Sequence, residues 1–132
     1  MNLVVNAARS YIESIRAGDF ETGFFGLLDM PDALELLIDE ANRPENRSIR
    51  AALTKVIWEY RRPEAIGFLG NALGDPDPNV WKEALDGLVT IDGPESAQCI
   101  IATLARVKDG LIQNGLSVDW LEEALAQIGE VS

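Results

Sequence analysis

Three stretches of this 132-residue chain open alike, with proline, an acid and a small residue: Pro31-Asp32-Ala33, Pro63-Glu64-Ala65 and Pro94-Glu95-Ser96. They start 32 and 31 residues apart. A period of that length is one helical hairpin, a unit that cannot bury its apolar side alone and must stack on the next copy of itself. Proline suits the first position of a helix, where its missing N–H costs nothing. The acid after it meets the positive end of the helix dipole. Each opening is therefore expected to start a helix.

The residues that follow keep helical spacing: Leu34, Leu36 and Leu37; Ile66, Phe68, Leu69 and Leu73; Cys99, Ile100, Ile101 and Leu104. A breaker then intervenes each time, at Arg43-Pro44-Glu45-Asn46, at Gly74-Asp75-Pro76-Asp77-Pro78, and at Asn114-Gly115 with Ser117 as N-cap. Second helices resume after the breakers and share an Ala-Leu step at Ala52-Leu53, Ala84-Leu85 and Ala124-Leu125. The last step is 40 residues on rather than 32, so the third hairpin carries about eight extra residues. No run of alternating polarity bounded by hairpin turns is present, which leaves no credible strand. The expected architecture is all-α, a short α-solenoid of antiparallel helical hairpins in a single domain over residues 1–132. An N-terminal helical cap occupies 1–30, with one helix ending near Ala17-Gly18 and a shorter one from about Phe20 to Leu28. Repeats then fill 31–62, 63–93 and 94–132.

The stretch Leu73-Gly74-Asp75-Pro76-Asp77-Pro78-Asn79-Val80, followed by Ala84, Leu88, Ile91-Asp92-Gly93-Pro94-Glu95, Ile100 and Leu104, resembles HEAT repeats of the phycobilisome-lyase-like type. The resemblance covers roughly residues 31–129. It implies an α-solenoid whose second helices line the concave side. Two positions depart from the pattern: Trp81 stands where a basic residue is usual, and Arg43-Pro44-Glu45 replaces the Asp-Pro pair of the first turn. A fold of this kind hosts many functions, so activity has to be argued from side chains. The hydroxylase branch of HEAT-like proteins holds iron through His-Glu pairs, and this chain has no histidine. The glycosylase branch needs a basic groove, which an excess of eleven acids opposes.

Composition narrows the chemistry further. With no histidine and one cysteine, the commonest general base and most zinc, haem, iron–sulfur and disulfide arrangements are excluded. No cofactor or metal is expected. Cys99 falls on the stripe occupied by Leu36 and Phe68 in the other repeats and reads as an inert core thiol, since no cationic cluster stands near to stabilise a thiolate. The acid pairs Asp39-Glu40, Asp75 with Asp77, and Glu122-Glu123 read as solvated helix surface rather than a catalytic dyad. Asp75-Pro76-Asp77-Pro78 lacks the alternating oxygen ligands of a calcium loop, and Asp77 serves better as an N-cap ahead of Pro78. No catalytic residue is assigned. The first residues lack the basic start and apolar run of a secretion signal, and no uncharged stretch approaches the ~20 residues of a membrane span. A cytoplasmic protein is the expectation, with no membrane contact.

The distribution of charge says more than any motif. The formal net charge is −11, which on average repels nucleic acid and anionic membranes. Residues 1–62 carry 8 basic and 10 acidic side chains, whereas residues 63–132 carry 3 and 12. In the first half Arg43, Arg47, Arg50, Lys55, Arg61 and Arg62 gather around one second helix. In the other half Glu83, Asp86, Asp119, Glu122, Glu123 and Glu130 lie on or beside the other two. Aligned on their Ala-Leu steps, the second helices put Ala51, Glu83 and Glu123 in one row and Trp58, Thr90 and Glu130 in another, both off the apolar stripe. Trp58, between Lys55 and Arg62 at helical spacing, has two readings, an exposed interface anchor or a ring packed on the N-terminal cap. Trp81 and Trp120 fall nearer the stripe and read as core. The expected function is a non-catalytic protein-binding module. Its acidic concave surface, with Trp58, Glu83, Asp86, Asp119, Glu122, Glu123 and Glu130 as contact residues, captures a basic protein. One concrete form is an immunity protein neutralising a bacterial toxin such as a nuclease. The alternatives are a HEAT-type scaffold or assembly subunit and, less favoured, a lyase-like chromophore chaperone.

Overall fold

A computed structural model describes residues 3–128. Eight α-helices follow one another: α1 (Leu3–Arg16), α2 (Phe20–Leu28), α3 (Leu34–Ala41), α4 (Arg50–Glu59), α5 (Ile66–Ala72), α6 (Pro78–Ile91), α7 (Pro94–Lys108) and α8 (Val118–Ile128). There is no strand among the described residues. The proline-led openings differ in detail. Pro94 starts α7 directly, while Pro31–Ala33 and Pro63–Ala65 each form a 3-10 turn that runs on into α3 and α5. A third such stretch, Pro44–Ile49, precedes α4. The helices are those of an all-α, helical-hairpin solenoid fold, and they group into two compact units that divide between Tyr60 and Arg61.

In the first unit α2 lies close against α1 because Gly23 and Gly26 present no side chain there. A methyl group at Gly23 would overlap the Tyr11 carbonyl oxygen and Ile15, and one at Gly26 would overlap the Tyr11 ring. Ala8, Ile12, Ile15, Leu27, Leu37, Leu53, Val56 and Ile57 fill the interior. The Tyr60 hydroxyl donates to the Leu27 carbonyl at 2.6 Å, tying the end of α4 to α2. Burial pushes this phenol well above the ordinary tyrosine range, because the ionised form has lost its water.

The Arg43-Pro44-Glu45-Asn46 breaker is a buried polar hub. The Asn46 side chain is fully buried and donates to the Glu40 carbonyl oxygen at 2.8 Å and to Glu40 Oε1 at 3.1 Å, and its Oδ1 accepts from Arg16. Arg43 pairs with Glu40 at 3.3 Å and Arg50 donates to the Ala41 carbonyl at 2.7 Å. Arginines that the sequence shows as a basic surface cluster are in part consumed here, closing the α3–α4 turn.

In the second unit α5 pairs with α6 and α7 with α8, and the hairpins stack α5 on α7 and α6 on α8. Leu69, Leu73, Val80, Ala84, Leu88, Ile100 and Leu121 form its core. Asp77 caps α6, accepting from the Asn79 N–H at 2.9 Å, and Asp75 supports that turn by accepting from the Asp77 N–H at 2.8 Å. The α6–α7 corner turns within two residues, Asp92 at φ 68° and Gly93 at φ 92°. Both angles lie in the left-handed region, where glycine is unstrained and Asp is better tolerated than most residues. The Asp92 carboxylate accepts from the Gly93 N–H at 2.8 Å, which supports that conformation locally.

The extra residues of the third hairpin form the connector between α7 and α8. Asn114 pins it in place: its amide donates to the carbonyls of Leu73 (3.0 Å) and Asp75 (2.7 Å), and its Oδ1 accepts from the Leu116 N–H at 3.1 Å. Leu116 is buried behind it.

Candidate protein-binding face

The two helices that carry the predicted acids in the second unit, α6 and α8, meet through a pair of tryptophans. Trp81 is buried, as a residue on the inward stripe of α6 has to be, and its indole N–H donates to the Asn114 carbonyl at 3.1 Å. Trp120 is not core: 47 % of it is exposed, against the sequence expectation. The reason is its register. Leu121, Ala124 and Ile128 are the buried residues of α8, and at about 100° per residue Trp120 lies roughly 70° from the middle of that stripe. It meets Trp81 at right angles instead, with ring centroids 5.5 Å apart and planes at 86°. That edge-to-face geometry brings the positive rim of one ring to the negative face of the other. Lys82 completes the group, its ammonium 5.8 Å from the centroids of both indoles. An ammonium at that distance is within reach of the ring quadrupole, so this aromatic pair already accommodates a cation.

Acidic residues of α6 and α8 lie to different sides of the exposed indole. Asp86, Asp119, Glu122 and Glu123 are exposed and Glu83 is half-buried. Helical spacing separates them into two sets. Glu123 is one turn beyond Trp120 and Asp119 adjoins it, whereas Glu122 lies about 160° around α8 on the opposite edge. On α6, Asp86 is one turn beyond Lys82. Lys82, Asp86, Asp119, Trp120 and Glu123 thus share the neighbouring outer faces of two packed helices, and Glu122 does not join them. Glu130 lies outside the described residues. Trp58 belongs to the first unit, where it is half-buried on α4 one turn beyond Lys55, whose ammonium sits 5.8 Å from the Phe24 ring of α2.

Sequence reasoning missed Trp120 and Lys82 as site residues. A signal was present, since Ser117 caps α8 through the Trp120 N–H at 3.3 Å. With the helix start set there, the stripe through Leu121 leaves Trp120 on its margin. Cys99 needs a similar correction. It is half-buried rather than buried, its sulfur 3.9 Å from the Ile66 carbonyl oxygen. Burial, and then the negative charge of Glu95, push its thiol up, so the reactive thiolate is disfavoured.

Among the described residues, no three His, Cys, Asp or Glu side chains gather so as to hold a metal ion, and no helix is long and apolar enough to cross a membrane. Residues 34–117, well over half of the chain, match the family of HEAT repeats. The chain belongs to the HEAT repeat family. The match is to HEAT repeats as a class and does not extend to the lyase-like subtype. Comparison with curated proteins and with solved structures gave no significant match. HEAT repeats present helix faces to other proteins, and on this chain the α6–α8 face combines an exposed aromatic ring with flanking carboxylates.

Proposed function

We propose that the acidic α6–α8 face captures a basic protein and that the chain performs no chemistry of its own. The observation that carries this reading is Trp120, a half-exposed indole bordered by Asp119 and Glu123. Burying a large aromatic ring supplies affinity, and the acids beside it select a cationic partner. A half that holds 12 acids against 3 bases also accelerates encounter with such a partner, an advantage that salt removes. In its concrete form the proposal is an immunity protein acting in the cytoplasm on a toxin such as a nuclease, whose substrate groove has to be basic to hold phosphates. Asp86, Asp119 and Glu123 supply the charge on that face, with Trp120 rather than Trp58 as the anchor.

The test is affinity capture with the tagged chain, identification of what it holds, and a repeat with Asp86, Asp119 and Glu123 all reversed to Lys. Capture of one basic protein, lost on charge reversal, supports the reading. Capture that survives the reversal removes it. A scaffold role is favoured by a separate observation, the exposed Ile101 (46 %) and Leu111 (69 %) on α7 and the connector after it. Sedimentation separates the two, because a stable oligomer that ignores salt and lacks a basic partner belongs to the scaffold.

A further inference from the structure

The connector that lengthens the third hairpin builds a cleft, and its lining runs against the charge of the surrounding half. The cleft has a volume of about 410 Å³ and lies between the end of α5, the last turns of α7 and the connector. Arg106, Asn71, Gln113, Asn114 and Thr103 supply its polar wall. No Asp or Glu lines it, although residues 63–132 hold twelve. Arg106 makes no ion pair among the described residues, and the Asn71 amide has no hydrogen-bond partner there. Gln113 donates once, to the Gly110 carbonyl at 3.1 Å, and keeps its second N–H. Asn114 is fully engaged in holding the connector and Thr103 donates to the Cys99 carbonyl at 2.9 Å, so these two shape the wall rather than offer donors. The wall is held in place, because the backbone N–H groups of Leu111 and Ile112 bond the Arg106 carbonyl at 2.9 and 3.4 Å while Asn114 fixes the far side.

We propose that this cleft binds a carboxylate group. A guanidinium offers two parallel N–H donors that match the two oxygens of a carboxylate, and amide N–H groups beside it complete the shell. The absence of carboxylates from the lining leaves that charge unanswered from within the protein. The volume is at the small end of ligand sites, enough for a small carboxylic acid or for the last residues of a peptide with a free C-terminus. The inference is independent of partner capture on the α6–α8 face, since no acid of that face takes part.

The experiment uses the whole chain, labelled with ¹⁵N and titrated at constant ionic strength with two probes. One is succinate, and the other is a short uncharged peptide with a free C-terminal carboxylate, run beside its C-terminal amide. The expected result is saturable shifts at the Asn71 and Gln113 side-chain amides and at Arg106 Nε, weakened at least about tenfold in Arg106→Gln. Saturation by succinate alone assigns a free acid, and saturation by the acid peptide but not its amide assigns a chain terminus. Lys108→Gln is the control, an exposed cation near the same end of α7 that does not line the cleft. No saturable shift with either probe overturns the proposal, as does a loss in Lys108→Gln equal to that in Arg106→Gln.

Discussion

Replacing Asn114 by Ala removes three hydrogen bonds at once and frees the connector from the end of α5 and the turn after it. Two of them go to the carbonyls of Leu73 and Asp75, at 3.0 and 2.7 Å, and the third comes from the Leu116 N–H at 3.1 Å. All three are partly shielded from solvent, and a bond of this kind contributes about 0.5–1.5 kcal/mol net, so the loss is about 3 kcal/mol. For a chain of this length the unfolding entropy near the midpoint is about 0.28 kcal/mol/K, which converts that loss to a Tm lowered by about 10 °C. Asn114→Asp separates hydrogen bonding from shape. It keeps the size and the acceptor for Leu116 but turns its other carboxylate oxygen towards two carbonyls, so it should destabilise at least as much as Ala. Differential scanning calorimetry of the three proteins reads this directly. Tryptophan emission gives a second view, since the Asn114 carbonyl also receives the Trp81 indole N–H. A Tm within 2 °C of the parent for Asn114→Ala would refute the idea that this residue clamps the connector.

Gly70→Ala brings a methyl group to 2.7 Å from the Cys99 sulfur. It should cost about 1–3 kcal/mol by overpacking, and Cys99→Ala should recover about 1 kcal/mol of that in a double-mutant cycle by urea unfolding. Independent, additive effects would argue that α5 and α7 do not meet there. Tyr60 gives a pH dependence. The unfolded phenol ionises near ~10 while the folded one keeps its proton to higher pH, so above that pH the unfolded state binds fewer protons. Its contribution is whole below about pH 10 and fades as pH rises. The urea midpoint should therefore fall from pH 10 to 11 more steeply in the parent than in Tyr60→Phe, which itself costs about 1 kcal/mol at pH 7. Parallel curves would contradict it. Native Cys99 should react with iodoacetamide at pH 7 much more slowly than the urea-unfolded chain, as checked by mass spectrometry, and equal rates would show an accessible thiolate.

The repeat was legible because proline and glycine punctuation acts locally. Asp77 before Pro78 and Asp92-Gly93-Pro94 mark their turns whatever surrounds them, and the structure places α6 between them and starts α7 at Pro94. What the sequence hid are outcomes decided by neighbours. Whether a tryptophan at the margin of a stripe is covered depends on what the adjoining helix offers, and α6 offers Trp120 one perpendicular ring rather than a pocket. Arg43 and Arg50 read as part of a basic cluster around one second helix, yet the buried Asn46–Glu40 hub and the end of α3 engage them. The cleft was invisible for a related reason. Its residues come from the end of α5, from α7 and from an insertion with no periodicity, and only the fold of the connector brings them together.

The central claim is that Trp120 and the acids beside it form a receptor for a cationic protein surface. The most direct measurement follows the three indole N–H resonances and the α6–α8 backbone while an arginine-rich peptide is titrated into the whole chain at low and at high salt. Saturable shifts at Trp120, Lys82, Asp86, Asp119 and Glu123, weakened by salt and abolished in Trp120→Ala, are the predicted result. Shifts spread evenly over acidic residues throughout the chain, or unchanged by Trp120→Ala, would contradict it.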